Sequence, residues 1–190
     1  MGPFRNGYRS AVTTRTIDPR DLAHEAADTL HREEQEYAHG RARPLGGYAA
    51  LLTVYGSGVA ALAVAIRRTG RLPERIPAGD LVLMAIATHK LSRLVAKDTV
   101  TAIVRAPFTR FDKSIGEGEV QEQVRGTGVR HATGELLTCP FCIGQWIATG
   151  FVGGYALAPR ATRMIASVLA LLAGSDALQF AYSALRESEQ

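Results

Sequence analysis

Charge is nearly absent from three long stretches of this chain. Tyr48 to Ile66, Ile143 to Ala158 and Met164 to Leu185 together hold a single charged side chain, Asp176, whereas residues 1–47 hold 14. A helix crosses a bilayer core with roughly 20 mostly apolar residues, about 17 to 25 being the range. The first and last stretches meet that length, and uncharged residues ahead of the middle one carry it back to Leu136. A fourth candidate, 76–96, is interrupted by Asp80, His89, Lys90 and Arg93. The pattern predicts an all-α fold, an integral membrane helical bundle of about four spans (48–66, 76–96, 138–158 and 164–185), or three if the interrupted one fails. Residues 1–47 form a charged cytosolic amino-terminal segment and 48–186 the membrane domain. A soluble bundle with all-apolar core helices is the alternative, but so many uncharged residues are unusual in a one-domain length of 190.

Small residues recur at four-residue spacing in Gly56 and Ala60, in Gly150 and Gly154, and in Ala166, Ala170 and Gly174. Such rows let helix backbones approach where lipid gives no hydrophobic drive, though alanine-rich soluble helices show them too. The amino end has Arg5 and Arg9 but no apolar run and no small-residue cleavage site, so no secretory signal is expected there. Asp18 is placed to cap a helix opening at Pro19, with Asp21 in its first turn and Gly40 past its end. With four spans and the amino end inside, ten Lys and Arg (41, 43, 93, 97, 105, 110, 113, 125, 130 and 186) collect on the inner side and six Arg (67, 68, 71, 75, 160 and 163) on the outer. That bias predicts cytosolic termini in a multi-pass membrane protein.

The connection 97–137 reads as a re-entrant or interfacial loop. Asp98 offers a helix cap, Val100, Ile103 and Val104 precede Pro107, and Phe108 and Phe111 alternate with Arg105 and Arg110, as in a segment lying at anionic headgroups. Five glycines from Gly116 to Gly134 then loosen the chain. Interleaved basic and aromatic residues can also stack on single-stranded nucleic acid, but beside a membrane span lipid is the better partner, and no nucleic acid is expected. Within the spans, Asp176 lies 12 residues after Met164 and Lys90 lies 10 after Asp80. At about 1.5 Å per residue both fall near mid-bilayer, where an unpaired charge is costly. His89, Lys90, Arg93 and Asp176 are therefore the intramembrane polar candidates, as an ion pair fixing helix register or as a proton or ion path.

Thr138-Cys139-Pro140-Phe141-Cys142 carries the most specific chemistry. With Pro140 at the first helical position, Cys139 becomes the cap, and the positive helix end raises its thiolate fraction. Cys139 and Cys142 are the catalytic candidates of a membrane thiol-disulfide oxidoreductase. They are also half of a zinc site that His131 or His89 would extend, since structural zinc takes four ligands. The bland alternative is an inert pair that opens a helix in a reducing cytosol, with no cofactor. The four residues match the redox motif of glutaredoxins, in which Cys139 would be nucleophile and Cys142 resolving thiol, but that family sets the motif in a β-α-β unit. Membrane thiol oxidoreductases of the vitamin K epoxide reductase type need a further cysteine pair.

Ser92-Arg93-Leu94, Lys97-Asp98, Arg105-Ala106-Pro107-Phe108-Thr109 and the run from Gly134 to Trp146, Gly-Glu-Leu-Leu-Thr-Cys-Pro-Phe-Cys-Ile-Gly-Gln-Trp, resemble the signature blocks of a bacterial family of small multipass membrane proteins of unknown function. Some of its members are labelled sporulation proteins. The likeness covers about Asp80 to Tyr182 and brings no catalytic residue. It implies a bacterial membrane protein that acts by helix packing and partner contacts. Its partners would be lipid and a second copy or another membrane protein.

Overall fold

Prolines and glycines punctuate the elements. The computed structural model describes residues 18–38, 43–70, 73–116 and 118–188. The chain divides into two units, Met1–Arg41 and Ala42–Gln190. In the first, α1 (Pro19–Ala38) opens as the sequence predicts, with Asp18 Oδ1 accepting the Arg20 N–H at 2.8 Å. Its described side chains are nearly all exposed, and Gly40 lies outside the described residues.

The second unit holds α2 (Leu45–Thr69), α3 (Ala78–Lys97), α4 (Ala102–Arg105), β1 (Thr109–Gly116), β2 (Glu119–Val124), α5 (Gly128–Thr138), α6 (Pro140–Leu157) and α7 (Pro159–Ser188). Side-chain contacts fix the directions of the long helices. Tyr55 on α2 meets Thr149 at 2.8 Å, and Leu62 presses on Gly153, so α2 and α6 run parallel. Asp80 meets Arg163 and Lys90 meets Asp176, so α3 and α7 run parallel. Tyr155, near the end of α6, hydrogen-bonds Asp80, near the start of α3, at 2.5 Å, so the two pairs oppose each other. Four helices thus alternate up and down.

Their interior mixes small and large side chains, and much of their aliphatic bulk faces outward. Met84, Ala87, Phe151, Tyr155, Ala166 and Leu169 form the core between α3, α6 and α7. Leu52, Val54, Leu81, Val82, Ile165 and Leu171 point outward instead. Two described helices, α2 and α7, are long and apolar enough to cross a membrane, and α5 with α6 would add a third as one span bent by 82°. The small-residue rows mark the contacts in part: nothing lies within 4 Å of a Cβ built on Gly56, Gly150 or Gly174, whereas one on Gly154 would lie 2.9 Å from Thr162 Oγ1 and Ala166 is fully buried in the core. Another close approach is at Gly153, where that Cβ would run into Leu62.

Three sequence expectations are corrected here. The fold is mostly helical but not all-α, because β1 and β2 pair as an antiparallel hairpin inside the segment read as a loop. Gly116 and Gly118 flank its turn, Gly118 taking a φ of 77° that suits glycine. Register shifts between Phe111 and Lys113 and between Ser114 and Gly116 break the alternation of faces, which is why no period-two pattern announces these strands. Asp98 caps no new helix; it ends α3, its Oδ1 accepting the Val100 N–H at 2.8 Å. The third apolar stretch does not continue back to Leu136 in one helix, because α5 and α6 meet at an angle across Cys139.

Arg105 is likewise not a headgroup residue. It is fully buried and spends its guanidinium on the end of α3 and on the hairpin. Nη1 donates to the Val95 carbonyl at 2.6 Å and to Thr101 Oγ1 at 2.7 Å, Nη2 to the Asp98 carbonyl at 2.8 Å, and Nε to Glu122 Oε2 at 2.5 Å. The last carbonyls of a helix lack intrahelical partners, so one side chain satisfies that end and anchors β2 to it. Removing one member of a buried pair strands the other and costs about 3–5 kcal/mol. Arg105→Met should lower stability by that order in chemical denaturation of the detergent-solubilised protein, and adding Glu122→Met should recover part of the loss.

Candidate functional site at the helical elbow

Cys139 occupies the corner between α5 and α6. Its backbone is extended, Pro140 follows as the first residue of α6, and Cys139 Sγ accepts the Cys142 N–H at 3.3 Å. This is the capping arrangement that the motif predicts. The two sulfurs lie 2.6 Å apart, and both cysteines are free. Cys142 is exposed and Cys139 half-buried. The thiols open onto a cleft of about 530 Å³ that reaches α2, with Arg43, Tyr48, Leu51 and Glu135 on its walls.

Glu135 organises that cleft. Tyr48 donates its hydroxyl to Oε2, Arg43 Nη1 stands 3.3 Å from Oε1, and His131 Nε2 stands 3.6 Å from the same oxygen. The carboxylate is therefore held between two helices. His131 has its other ring nitrogen 3.2 Å from the Gly126 carbonyl. Among the described residues no three His, Cys, Asp or Glu side chains are grouped to hold a metal ion, so the two thiols would need ligands from elsewhere to complete a zinc site. The motif follows a helix rather than a strand, unlike the setting a glutaredoxin gives it.

The intramembrane candidates separate. Lys90 Nζ lies 2.5 Å from Asp176 Oδ2. Arg93 turns instead to the hairpin and clasps Glu119, with Nη2 at 2.6 Å from both carboxylate oxygens. His89 is exposed on α3, and its carbonyl accepts from Ser92 Oγ at 2.9 Å.

Two groupings were not read from the sequence. Tyr48 and Arg43 reach Glu135 from more than 85 residues away, and only the position of Glu135 inside the cysteine motif hinted at them. At the opposite end of the bundle Asp80 takes Arg163 Nη2 and the Tyr155 hydroxyl, each at 2.5 Å. Arg163 also stands over the Tyr155 ring, 5.2 Å from its centroid. The signal for that triad was an acid in the first turn of a helix whose next nine residues are uncharged.

This is a mostly helical chain with two or three helices apolar enough to cross a membrane, aliphatic side chains turned outward, and Asp80 and Lys90 paired with Arg163 and Asp176. Residues 83–182 match the family described as Protein of unknown function (DUF1360), and the chain belongs to that family. The matched part runs from α3 to α7, so it holds the hairpin, the elbow, Arg105, Lys90 and Asp176, while Arg43, Tyr48 and Asp80 lie before it. The chain is 34% identical over 94 residues to Sporulation protein YjcA of Bacillus subtilis (strain 168), a stretch that covers 48% of this chain and 80% of that protein. It is 26% identical over 106 residues to UPF0713 protein YngL of the same organism, covering 55% of this chain and 78% of that one. No solved structure matches it.

Two outcomes follow from this geometry. Asp176→Asn should lower stability, and Lys90→Met on that background should restore part of it, because each residue is the other's counter-ion. A coupling of at least about 0.5 kcal/mol in the double-mutant cycle is expected, and additive losses would show that the contact does not matter. At the elbow, Cys139 sits where the orphan N–H groups of α6 converge, while Cys142 lies one turn inside. At neutral pH, alkylation of the Cys142→Ser protein should therefore be faster than that of Cys139→Ser.

Proposed function

We propose that this protein is a non-catalytic, multi-pass protein of the bacterial cell membrane that works by helix packing and partner contacts. The outward-facing aliphatic surface carries this reading. Side chains such as Leu52, Leu81, Ile165 and Leu171 would be exposed to water in a soluble protein, whereas in a bilayer they meet acyl chains.

In this proposal α2, α3, α6 and α7 all cross. The 20 residues of α3 reach about 30 Å, and α3 runs parallel to the long apolar helix α7. Its charges argue against crossing only if they are bare. Asp80 is matched by Arg163 and Lys90 by Asp176, which removes most of that objection. Four crossings put the start of α2, the hairpin, the elbow and the end of α7 on one side. The cationic bias makes that side cytosolic. Val100, Ile103 and Val104, all exposed just past the end of α3, then lie at the inner leaflet beside Lys97 and Arg110. The charged helix α1 offers a cytosolic docking surface.

Carbonate extraction and thiol labelling test this. The protein should stay with membranes at alkaline pH, and a membrane-impermeant maleimide should label Cys139 and Cys142 only after cells are permeabilised. Recovery as a soluble monomer without detergent would overturn the membrane reading, and labelling in intact cells would overturn the orientation.

A further inference from the structure

The packing function leaves the cysteine pair unused, and its placement is specific. The sulfurs touch at 2.6 Å, both thiols are free, and the neighbouring Phe141 is 92% exposed, so a small molecule in solution has an open approach. Cys139 is also the residue at which the chain turns through 82°. We propose that Cys139 and Cys142 form a reversible intramolecular disulfide that stiffens the elbow, with a low-molecular-weight disulfide of the glutathione type as oxidant.

The exchange balances in two steps. The Cys139 thiol loses its proton, and the thiolate attacks one sulfur of the oxidant. The oxidant's S–S bond breaks, and its other half leaves as a thiolate that takes up a proton. Cys139 now carries a mixed disulfide. Cys142, deprotonated in turn, attacks Cys139 Sγ and expels the second small thiol. Two protein thiols have been oxidised by two electrons, and one small disulfide has become two thiols. Excess small thiol reverses both steps. Cys139 is the attacking group because its sulfur already accepts an N–H at the amino end of α6, where backbone donors stabilise negative charge.

The bond would join the corner residue to the first turn of α6. It would fix the dihedral angles at which α5 and α6 meet, and with them the wall of the cleft that Glu135 shares with α2. Nothing in this step depends on which side of a membrane the elbow faces, so its failure and that of the proposed topology are separable.

The test uses full-length protein in detergent micelles containing a chelator, equilibrated across ratios of oxidised to reduced glutathione. Samples are acid-quenched, alkylated with a maleimide and weighed intact. The expected result is concerted loss of both alkylation sites, with a protein lighter by two hydrogens, and full recovery of both sites on adding reduced glutathione. The Cys139→Ser and Cys142→Ser proteins should each stop at one glutathione adduct. Amide hydrogen exchange over Phe141 to Gly144 should slow several-fold in the oxidised wild type. A persistent glutathione adduct on the wild type, a disulfide-linked dimer on a non-reducing gel, or both sites still alkylated at every ratio would overturn the disulfide. Unchanged exchange in the oxidised protein would overturn the stiffening.

Discussion

A buried guanidinium fastens the hairpin to the helical bundle. Arg105 closes the carbonyl end of α3 and holds Glu122 of the hairpin, both out of contact with water. The hairpin has two strands, and an isolated hairpin of that size is marginal at best. It persists here because it is fastened at several points. Arg93 grips Glu119, the Gly118 carbonyl accepts the Thr99 N–H at 2.8 Å, and Arg125 and Arg130 donate to the Ala106 and Pro107 carbonyls. α5 then packs against β2 with almost no clearance, since a Cβ on Gly134 would lie 2.5 Å from Val124 Cγ1 and 3.0 Å from the Phe108 carbonyl oxygen. Arg93, Asp98, Arg105, Phe108 and Gly134 come from separate blocks of the sequence but converge on this one junction.

The bundle above the junction follows a different rule. Its interior gives alanine and a few aromatic side chains to the contacts between α3, α6 and α7, and its aliphatic bulk points away. Among the described residues, charged side chains pair between α3 and α7 at two levels, Asp80 with Arg163, joined by Tyr155 of α6, at one end and Lys90 with Asp176 farther along. Both levels are matched in sign. Such pairs fix the axial register of two helices that apolar contacts alone would leave free to slide.

The long helices were legible in the sequence because absence of charge is a strong signal, and their ends lie within a few residues of the expected ones. The start of α6 was legible from Cys139 and Pro140, whose capping chemistry is local. Lys90 and Asp176 could be matched from depth along two helices, which needs only the rise per residue. The hairpin was not legible. Its two bulges erase the alternation that identifies strands, and its glycines read as slack. Arg105 was misassigned for a related reason: an arginine near aromatic residues at a span's end has the composition of a lipid contact, and only tertiary structure shows it turned inward. The partners of Glu135 depend on where α2 crosses α5, which no local pattern encodes.

The pairing of α3 with α7 also bears on how the chain is made. Lys90 finds its counter-ion 86 residues later, and Asp80 finds Arg163 after 83. At the usual synthesis rate of about 5–20 residues per second, α3 emerges roughly 4–17 s before the helix that neutralises it. During that interval Asp80 and Lys90 lack those partners in the nascent chain. If α3 crosses as proposed above, its stable entry into lipid would be tied to completion of the α6–α7 hairpin, and a chain truncated before α7 would leave α3 in the aqueous channel or at the membrane surface. The helix pairs that hold the finished protein in register would then also set the order in which it can be assembled.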